Sequence, residues 1–110
     1  MERQIPDMVA KIYAELLHSS LGSRLREVWL FGSRARGDFT ASSDYDIIVI
    51  ADGDQHEISD IAVDNSYKIL CDYSELIGPL TYSPQEWAKR KRTSLGRNVE
   101  HEGVLLYGAR

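Results

Sequence analysis

The segment "YDIIVIAD", residues 45–52, constrains the fold of this chain more than any other. Its run of β-branched side chains is continuous and does not alternate with polar residues, which predicts a central strand covered on both faces. The turn residues "DGD" end this strand. Such a strand is typical of an α/β domain, in which helices pack on a largely buried sheet.

Hydrophobic spacing predicts the elements before the central strand. Apolar residues recur at three- and four-residue steps from about residue 5 to 19, which predicts a helix with one apolar stripe that Gly22 ends. The stripe consists of Ile5, Met8, Val9, Ile12, Leu16 and Leu17. The segment "EVWLFG" that follows is predicted to be a short buried strand.

The segment after the central strand fits two patterns. Helical spacing favours a long helix from about residue 56 to 73 and a strand from about 76 to 82, whereas alternation within "YKILCDY" would place the strand earlier. We favour the long helix. Pro79 lies inside the favoured strand and cannot donate to a ladder, so this strand is expected at a sheet edge or a bulge.

The last third of the chain predicts two more helices and a strand. Ser83 is a predicted N-cap, Pro84 the first helical residue and Glu86 the capping-box residue of the segment "SPQEWAKRKR". A last helix and a short "VLLY" segment follow. The whole chain, residues 1–110, is therefore expected to form a single α/β domain with a mixed sheet of about four strands, flanked by helices mainly on one side.

Length and charge limit the possible functions. A chain of 110 residues with 43% hydrophobic and 27% charged residues suits one compact domain. The net charge of −4 gives no general attraction to nucleic acid or to anionic lipid, and the basic cluster at residues 89–92 is expected to be a solvated helix surface. Because the start of the chain is charged and no apolar run is long enough to span a membrane, a cytoplasmic protein is expected.

A few single residues are assigned to packing. The lone cysteine, Cys71, has no histidine at a motif spacing and is expected to be a packing residue. The aromatic residues Trp29, Tyr73 and Trp87 are expected in the core.

Two aspartates stand at the start of the central strand. Residues two apart on a strand face the same side, so Asp44 and Asp46 should project together, about 6.5 Å apart along the chain. Two ionised carboxylates in a partly buried pocket need a cation between them. Hard cations such as Mg²⁺ take oxygen ligands and share them with substrate phosphates, so the pair predicts a metal and a phosphate together.

A glycine and a serine supply the second half of this candidate site. Gly32 follows the preceding strand and lacks a side chain, so a phosphate can approach the backbone there. Ser33 offers a hydroxyl and an N–H group at the predicted start of a short helix. Arg34 and Arg36 are close enough in sequence to add charge-assisted contacts to a triphosphate, and Gly37 ends the turn.

Together these residues resemble a known signature. Gly32 and Ser33, ten further residues and the "DYD" of residues 44–46 match the G-S-x10-D-x-D pattern of the DNA polymerase β-like nucleotidyltransferase superfamily. The segment "GSRARGDFTASSDYD", the chain length and the end "NVEHEGVLLYG" are most similar to its minimal nucleotidyltransferases, the MNT type that pairs as antitoxin with a HEPN toxin.

The resemblance implies an activity and a partner. It implies transfer of AMP from ATP to a hydroxyl, with Asp44 and Asp46 as catalytic ligands of Mg²⁺ and with Gly32, Ser33 and Arg34 at the triphosphate. It also implies a third carboxylate on the following strand, which "LIGPLTY" lacks. Glu75 could reach the site if that strand begins early, and Asp72 would qualify if the strand lay earlier in the chain.

Three functions therefore stay open. The chain could adenylylate a hydroxyl of a partner such as a HEPN toxin, or neutralise that partner by binding alone, with vestigial nucleotide chemistry. It could instead modify a small molecule, as the related aminoglycoside nucleotidyltransferases do, with a separate subunit holding the acceptor. The residues left after position 92 are too few for a second domain, so a hetero-oligomer is expected.

Overall fold

The chain folds into alternating helices and strands. The structure is a computed structural model and describes residues 7–38, 40 and 43–108. Its elements are α1 (Met8–Leu21), a 3-10 turn (Gly22–Arg24), β1 (Leu25–Phe31), α2 (Ser33–Arg36), β2 (Tyr45–Ala51), α3 (Gln55–Tyr73), β3 (Ile77–Tyr82), α4 (Pro84–Arg90), α5 (Ser94–Glu102) and β4 (Val104–Tyr107). The predicted elements are all present, including the favoured long helix; Ile5, at the predicted start of the first helix, lies outside the described residues.

The strands form one mixed sheet in the order β3-β2-β1-β4. β1 runs antiparallel to both β2 and β4, whereas β2 and β3 are parallel. Every residue of β2 except Asp46 is buried, which confirms that this strand is central and covered on both faces. Because Asp46 is the exception, a ligand could reach the central strand at this residue.

Helices cover both faces of the sheet. On one face α1 and α3 pack against side chains of β1 and β2 such as Val28, Leu30 and Ile47. On the other face the alternate residues Trp29 and Ile48 pack against the shorter helices α4 and α5. The expectation that helices lie mainly on one side is therefore correct only for the two long helices.

The edge strand β3 shows why Pro79 is tolerated. The N–H of Tyr45 donates to the carbonyl of Leu76 at 2.9 Å, so the even-numbered residues of β3 turn their backbone groups toward β2. The odd-numbered ones, including Pro79, then face outward, where a missing N–H breaks no bond of the ladder. This confirms the prediction of a sheet edge.

Local signals explain the helix ends. Asp7 caps α1 by accepting a hydrogen bond from the N–H of Val9, and Gly22 ends this helix with a positive φ of 58°. Ser83 and Glu86 form the predicted capping box of α4. Both helices thus begin where their N-cap residue satisfies an otherwise unpaired N–H group.

Two of the packing predictions are wrong and two are confirmed. Trp29 and Trp87 are buried, as expected. Tyr73 is 46% exposed because it is the last residue of α3, and Cys71 is exposed because it lies on the side of α3 opposite the buried Ile69. Within the described part of the chain, none of the helices is both long and apolar enough to cross a membrane.

Candidate active site

Gly32 and Asp46 meet where β1 ends and β2 begins. Phe31, the last residue of β1, pairs with Asp46 across the sheet, and Gly32 follows directly. The φ of Gly32 is 78°, a value that L residues rarely adopt. A Cβ atom at this position would overlap Oδ2 of Asp46 and lie 3.2 Å from its Cγ. The glycine therefore leaves the space that the Asp46 carboxylate occupies.

The two aspartates of the motif act on each other electrostatically. Asp44 is exposed just before β2. Asp46, the second residue of β2, is half-buried. Burial raises the pKa of the Asp46 carboxyl above its ordinary value, the negative charge of Asp44 raises it further, and Arg36 lowers it. The carboxylates thus face a common region, in which a divalent cation would remove the repulsion between them.

A short helical turn holds Ser33 beside these carboxylates. The N–H groups of Ala35 and Arg36 both donate to the carbonyl of Gly32, at 3.1 Å. The turn ends at Gly37, whose φ of 92° is left-handed and whose N–H donates to the carbonyl of Ser33 at 2.9 Å. Two glycines with positive φ therefore define both ends of α2 and fix Ser33 next to Gly32.

Arg34 is turned into the protein. Its guanidinium lies 4.3 Å from the ring centroid of Tyr45. It donates two hydrogen bonds to the carbonyl of Ser43, at 3.2 and 3.1 Å, and lies 3.5 Å from Glu75. The side chain is only 6% exposed. Since neighbouring residues of a strand alternate, Tyr45 and the guanidinium lie on the opposite face of the sheet from Asp46.

The placement of Arg34 does not support the phosphate contact that the sequence predicted for its side chain. Its contacts instead tie α2 to the start of β2 and so hold Ser43, next to Asp44, in place. No local sequence pattern predicts this arrangement, because the ring of Tyr45 comes under Arg34 only through the pairing of β1 with β2.

Arg36, the last residue of α2, carries a positive charge that acts on Asp46. Its side chain is 43% exposed and forms ion pairs with Asp38 at 3.2 Å and Glu102 at 3.5 Å. Its charge also lowers the pKa of Asp46. Arg36 is therefore better placed than Arg34 to meet a phosphate bound at Gly32 and Ser33.

The predicted third carboxylate is absent from the facing positions of β3. In the ladder Asp46 pairs with Gly78 and Ile48 with Leu80, so these two residues of β3 share the sheet face of Asp46. Glu75 is directed to Arg34 instead. Asp72 is exposed on α3, which covers the opposite face. Among the described residues, no cluster of three or more His, Cys, Asp and Glu side chains could hold a metal.

The arrangement suits a phosphate-bearing substrate. The Asp46 carboxylate lies against Gly32, a serine stands at the first turn of the following helix, and the charges of Asp44 and Arg36 both act on Asp46. With Mg²⁺ at two carboxylates, water and substrate phosphates usually complete the shell. A four-stranded mixed sheet with this site at the end of two neighbouring strands defines a nucleotidyltransferase domain.

Comparison with known sequences agrees. The chain belongs to the nucleotidyltransferase domain family, whose profile matches residues 11–106. A relative from Methanocaldococcus jannaschii, named "Putative protein adenylyltransferase MJ0604", is 36% identical over 97 residues, which are 88% of this chain and 93% of the relative.

Two solved structures have a similar fold. A chain of a toxin-antitoxin complex with AMP-PNP gives a TM-score of 0.63 at 20% identity, over 91% of this chain and 74% of its own length. A chain of the complex between tri-AMPylated Shewanella oneidensis HEPN toxin and MNT antitoxin gives 0.56 at 18% identity, over 92% and 71%. At such identities the likeness shows the fold.

Proposed function

We propose that this chain transfers AMP from ATP to a hydroxyl of a partner protein, a HEPN-type toxin, and thereby acts as its antitoxin. The observation that carries the proposal is the Asp46 carboxylate placed against the backbone of Gly32, with the charge of Asp44 acting on it. The names of the relatives support the choice of reaction and partner, since one is called a protein adenylyltransferase and another is part of a complex with an AMPylated toxin.

The residues of the site divide the work of binding the triphosphate. Asp44 and Asp46 would hold Mg²⁺, and the bound ion would neutralise the phosphate charge. Gly32 makes room for the Asp46 carboxylate against the backbone, and Ser33 beside it offers its hydroxyl and N–H to the β- and γ-phosphates. Arg36 adds a positive charge from the side. Catalysis then consists mostly of positioning and charge neutralisation.

The transfer breaks the phosphoanhydride bond between the α- and β-phosphates of ATP and forms a phosphoester bond to the acceptor. The acceptor oxygen forms a bond to the α-phosphorus, pyrophosphate leaves, and the hydroxyl proton passes to a base. The described residues form one sheet with its flanking helices, and the reaction also needs a surface that holds the acceptor over the site. In this proposal the acceptor is a protein that brings its own docking surface.

The test uses ATP labelled in the α-phosphate, Mg²⁺ and the product of the gene that adjoins this one, as the candidate toxin. We expect label on the toxin with the wild-type chain, and none when Asp44→Asn and Asp46→Asn are combined. The chain alone should consume ATP barely above background. Robust transfer by the isolated chain to a free small molecule, such as an aminoglycoside, would refute the proposal.

A second candidate is an antitoxin that neutralises by binding alone. It is favoured by Gly78 and Leu80, which occupy the positions of β3 where a third carboxylate would face Asp46. The same pair of substitutions separates the two functions. If the double asparagine variant neutralises the toxin as well as the wild-type chain does, binding is sufficient and the transfer reaction is dispensable.

A further inference from the structure

Exposed apolar side chains are concentrated along one edge of the molecule. Of the seven large apolar residues that are exposed in the described part of the chain, Met8 lies on α1 and the other six lie on α3, on the turn after it and on β3. We call these six the α3–β3 edge surface: Val63, Tyr67, Leu70, Tyr73, Leu76 and Leu80. Surface apolar residues are ordinarily scattered singly, and a cluster on one edge is typical of an interaction site.

The helical part of this surface is a regular seam. Val63, Tyr67 and Leu70 are spaced by four and three residues, so they lie on one side of α3. The opposite side of the helix, which includes Ile58 and Ile69, is buried against the sheet. The core therefore does not require apolar residues on the outer side of α3. Tyr67 is nevertheless on this side, and it is 65% exposed.

A partner would meet this edge through side chains and not by adding a strand. The outward-facing backbone positions of β3 include Pro79, which has no N–H to donate. An incoming strand would lose its central hydrogen bond there. The seam on α3 instead suits a helix or a flat apolar face, which packs by interlocking side chains.

Charge selects the kind of partner. Exposed acidic residues of α3 are Glu57, Asp60, Asp64 and Asp72, whereas Lys68 is the one lysine or arginine of this helix. A second copy of this chain would place like charges opposite each other, and an anionic lipid surface would be repelled. An apolar seam flanked by Lys and Arg side chains matches both the apolar character and the charge.

The edge surface reaches the candidate active site. The carbonyl of Leu76 accepts the hydrogen bond of Tyr45, which lies between the two aspartates in sequence. Leu80 lies on the same sheet face as Asp46. It stands two residues after Gly78, the β3 residue that pairs with Asp46. The surface therefore extends around the free edge of β3, from the face that α3 covers to the face of Asp46, and a protein that covers both parts lies beside this carboxylate.

We propose that the α3–β3 edge surface is the docking site for the acceptor protein, which covers it with an apolar seam flanked by Lys and Arg side chains. This proposal rests on the proposed function and adds where the acceptor binds and by what chemistry. Docking there raises the local concentration of the acceptor hydroxyl at Asp44 and Asp46, which is how a single-domain transferase gains a second substrate site.

The test measures the dissociation constant of the complex with the toxin encoded beside this gene. We expect Val63→Ser combined with Tyr67→Ser to weaken binding at least tenfold and to raise the KM for the toxin, with ATP affinity unchanged. Met8→Ser removes an apolar side chain that is 71% exposed outside the surface and should change nothing. Unaltered thermal unfolding of each variant shows that the fold is retained.

A second pair of variants tests the charge. Asp60→Lys combined with Asp64→Lys should weaken binding at least tenfold at low salt, and the loss should shrink as salt rises. Glu15→Lys combined with Glu100→Lys makes the same change in net charge on exposed residues elsewhere and should leave binding within about twofold.

The outcomes separate this proposal from the proposed function. If the wild-type chain AMPylates the toxin and the Val63/Tyr67 double variant does so with the same KM, the docking site is wrong and the activity stands. If the wild-type chain neither binds nor modifies the toxin, both fall. A wild-type homodimer that Tyr67→Ser dissociates would show that a second copy covers the surface, which also overturns the proposal.

Discussion

Gly32 lies against the carboxylate of Asp46, so close that a Cβ atom at residue 32 would overlap Oδ2 of the aspartate. Gly32 directly follows Phe31, the last residue of β1, and Phe31 pairs with Asp46 near the start of β2. The contact therefore connects the end of one strand with the start of the next. The glycine and the second aspartate of the motif are thus one structural unit. Substituting the first must disturb the second.

The first prediction concerns this contact. Gly32→Ala should lower the free energy of unfolding by about 1–2 kcal/mol, because an L residue is strained at positive φ, and should also displace Asp46 and abolish Mg²⁺-dependent ATP binding. Gly32→Val should be worse and should weaken ATP binding more than Ser33→Ala does, since truncating the serine leaves its N–H in place. Urea denaturation and titration with Mg-ATP measure the two effects.

Gly22→Ala is the matched control. Gly22 also combines a positive φ with a strongly negative ψ, 58° and −131° against 78° and −158° at Gly32, but a Cβ there meets nothing within 4 Å. It should lose comparable stability and keep full ATP affinity. Should both variants lose ATP binding equally, the contact with Asp46 has no special role.

The second prediction concerns the charge of the aspartate pair. Because the folded pKa of Asp46 is raised, the unfolded chain ionises first as pH rises above the ordinary value of 3.8, and this group then reduces stability. Asp46→Asn should therefore hold or raise the free energy of unfolding at pH 7, with the difference vanishing below about pH 3.8. Denaturation curves at several pH values measure it.

Removing the other charge gives an independent check. Asp44→Asn should lower the pKa of Asp46, which carboxyl chemical shifts in an NMR titration would report. Mg²⁺ binding by the wild-type chain should weaken as pH falls through the raised pKa of Asp46, since the ion binds the carboxylate form. If Asp44→Asn with Asp46→Asn binds ATP at saturating Mg²⁺ as the wild-type chain does, the aspartates are not metal ligands.

The sequence predicted what local patterns determine. The continuous apolar run of β2, the capping box of Ser83 and Glu86, and the edge position forced by Pro79 each depend on neighbouring residues only. The motif spacing likewise indicated that Gly32 and Asp46 belong to one candidate site, because Gly32 follows one predicted strand and Asp46 stands at the start of the next. These features needed no knowledge of how the strands pair.

Features that depend on register or on helical phase were missed. Arg34 meets the ring of Tyr45 only because β1 and β2 pair as they do, and the sequence assigned it to phosphate. Tyr73 was expected in the core, since its type is apolar, but the end of α3 leaves it 46% exposed. Whether β3 offers a carboxylate likewise depends on which residue pairs with Asp46, and that residue is Gly78.

The third prediction separates the two arginines of α2. Arg34→Ala should lower the free energy of unfolding by about 2–3 kcal/mol, because it removes a buried charge that stacks on Tyr45 and bonds to Ser43. Arg34→Lys should recover less than half of this loss, since an ammonium lacks the planar fork. Chemical denaturation measures both variants.

Arg36→Ala should behave in the opposite way. Its side chain is 43% exposed, so stability should change by less than about 0.5 kcal/mol. The affinity for Mg-ATP should fall several-fold, and the pKa of Asp46 should rise because a neighbouring positive charge is gone. Weaker ATP binding in folded Arg34→Lys than in Arg36→Ala would reverse the roles assigned here.

The last prediction restores the carboxylate that β3 lacks. Gly78 pairs with Asp46 on the adjacent parallel strand, and a Cβ there meets only the carbonyl of Tyr45, at 3.9 Å. Gly78→Asp should therefore fit and place a third carboxylate about 5 Å from Asp46 across the ladder. Without metal it should raise the pKa of Asp46 and reduce stability; with Mg²⁺ it should increase metal affinity and the rate of AMP transfer to the toxin.

Gly78→Asn has nearly the same size without the charge and should do neither. If Gly78→Asp binds Mg²⁺ no better than Gly78→Asn, the ion does not lie between β2 and β3. Asp44 and Asp46 then provide all the protein ligands of the ion.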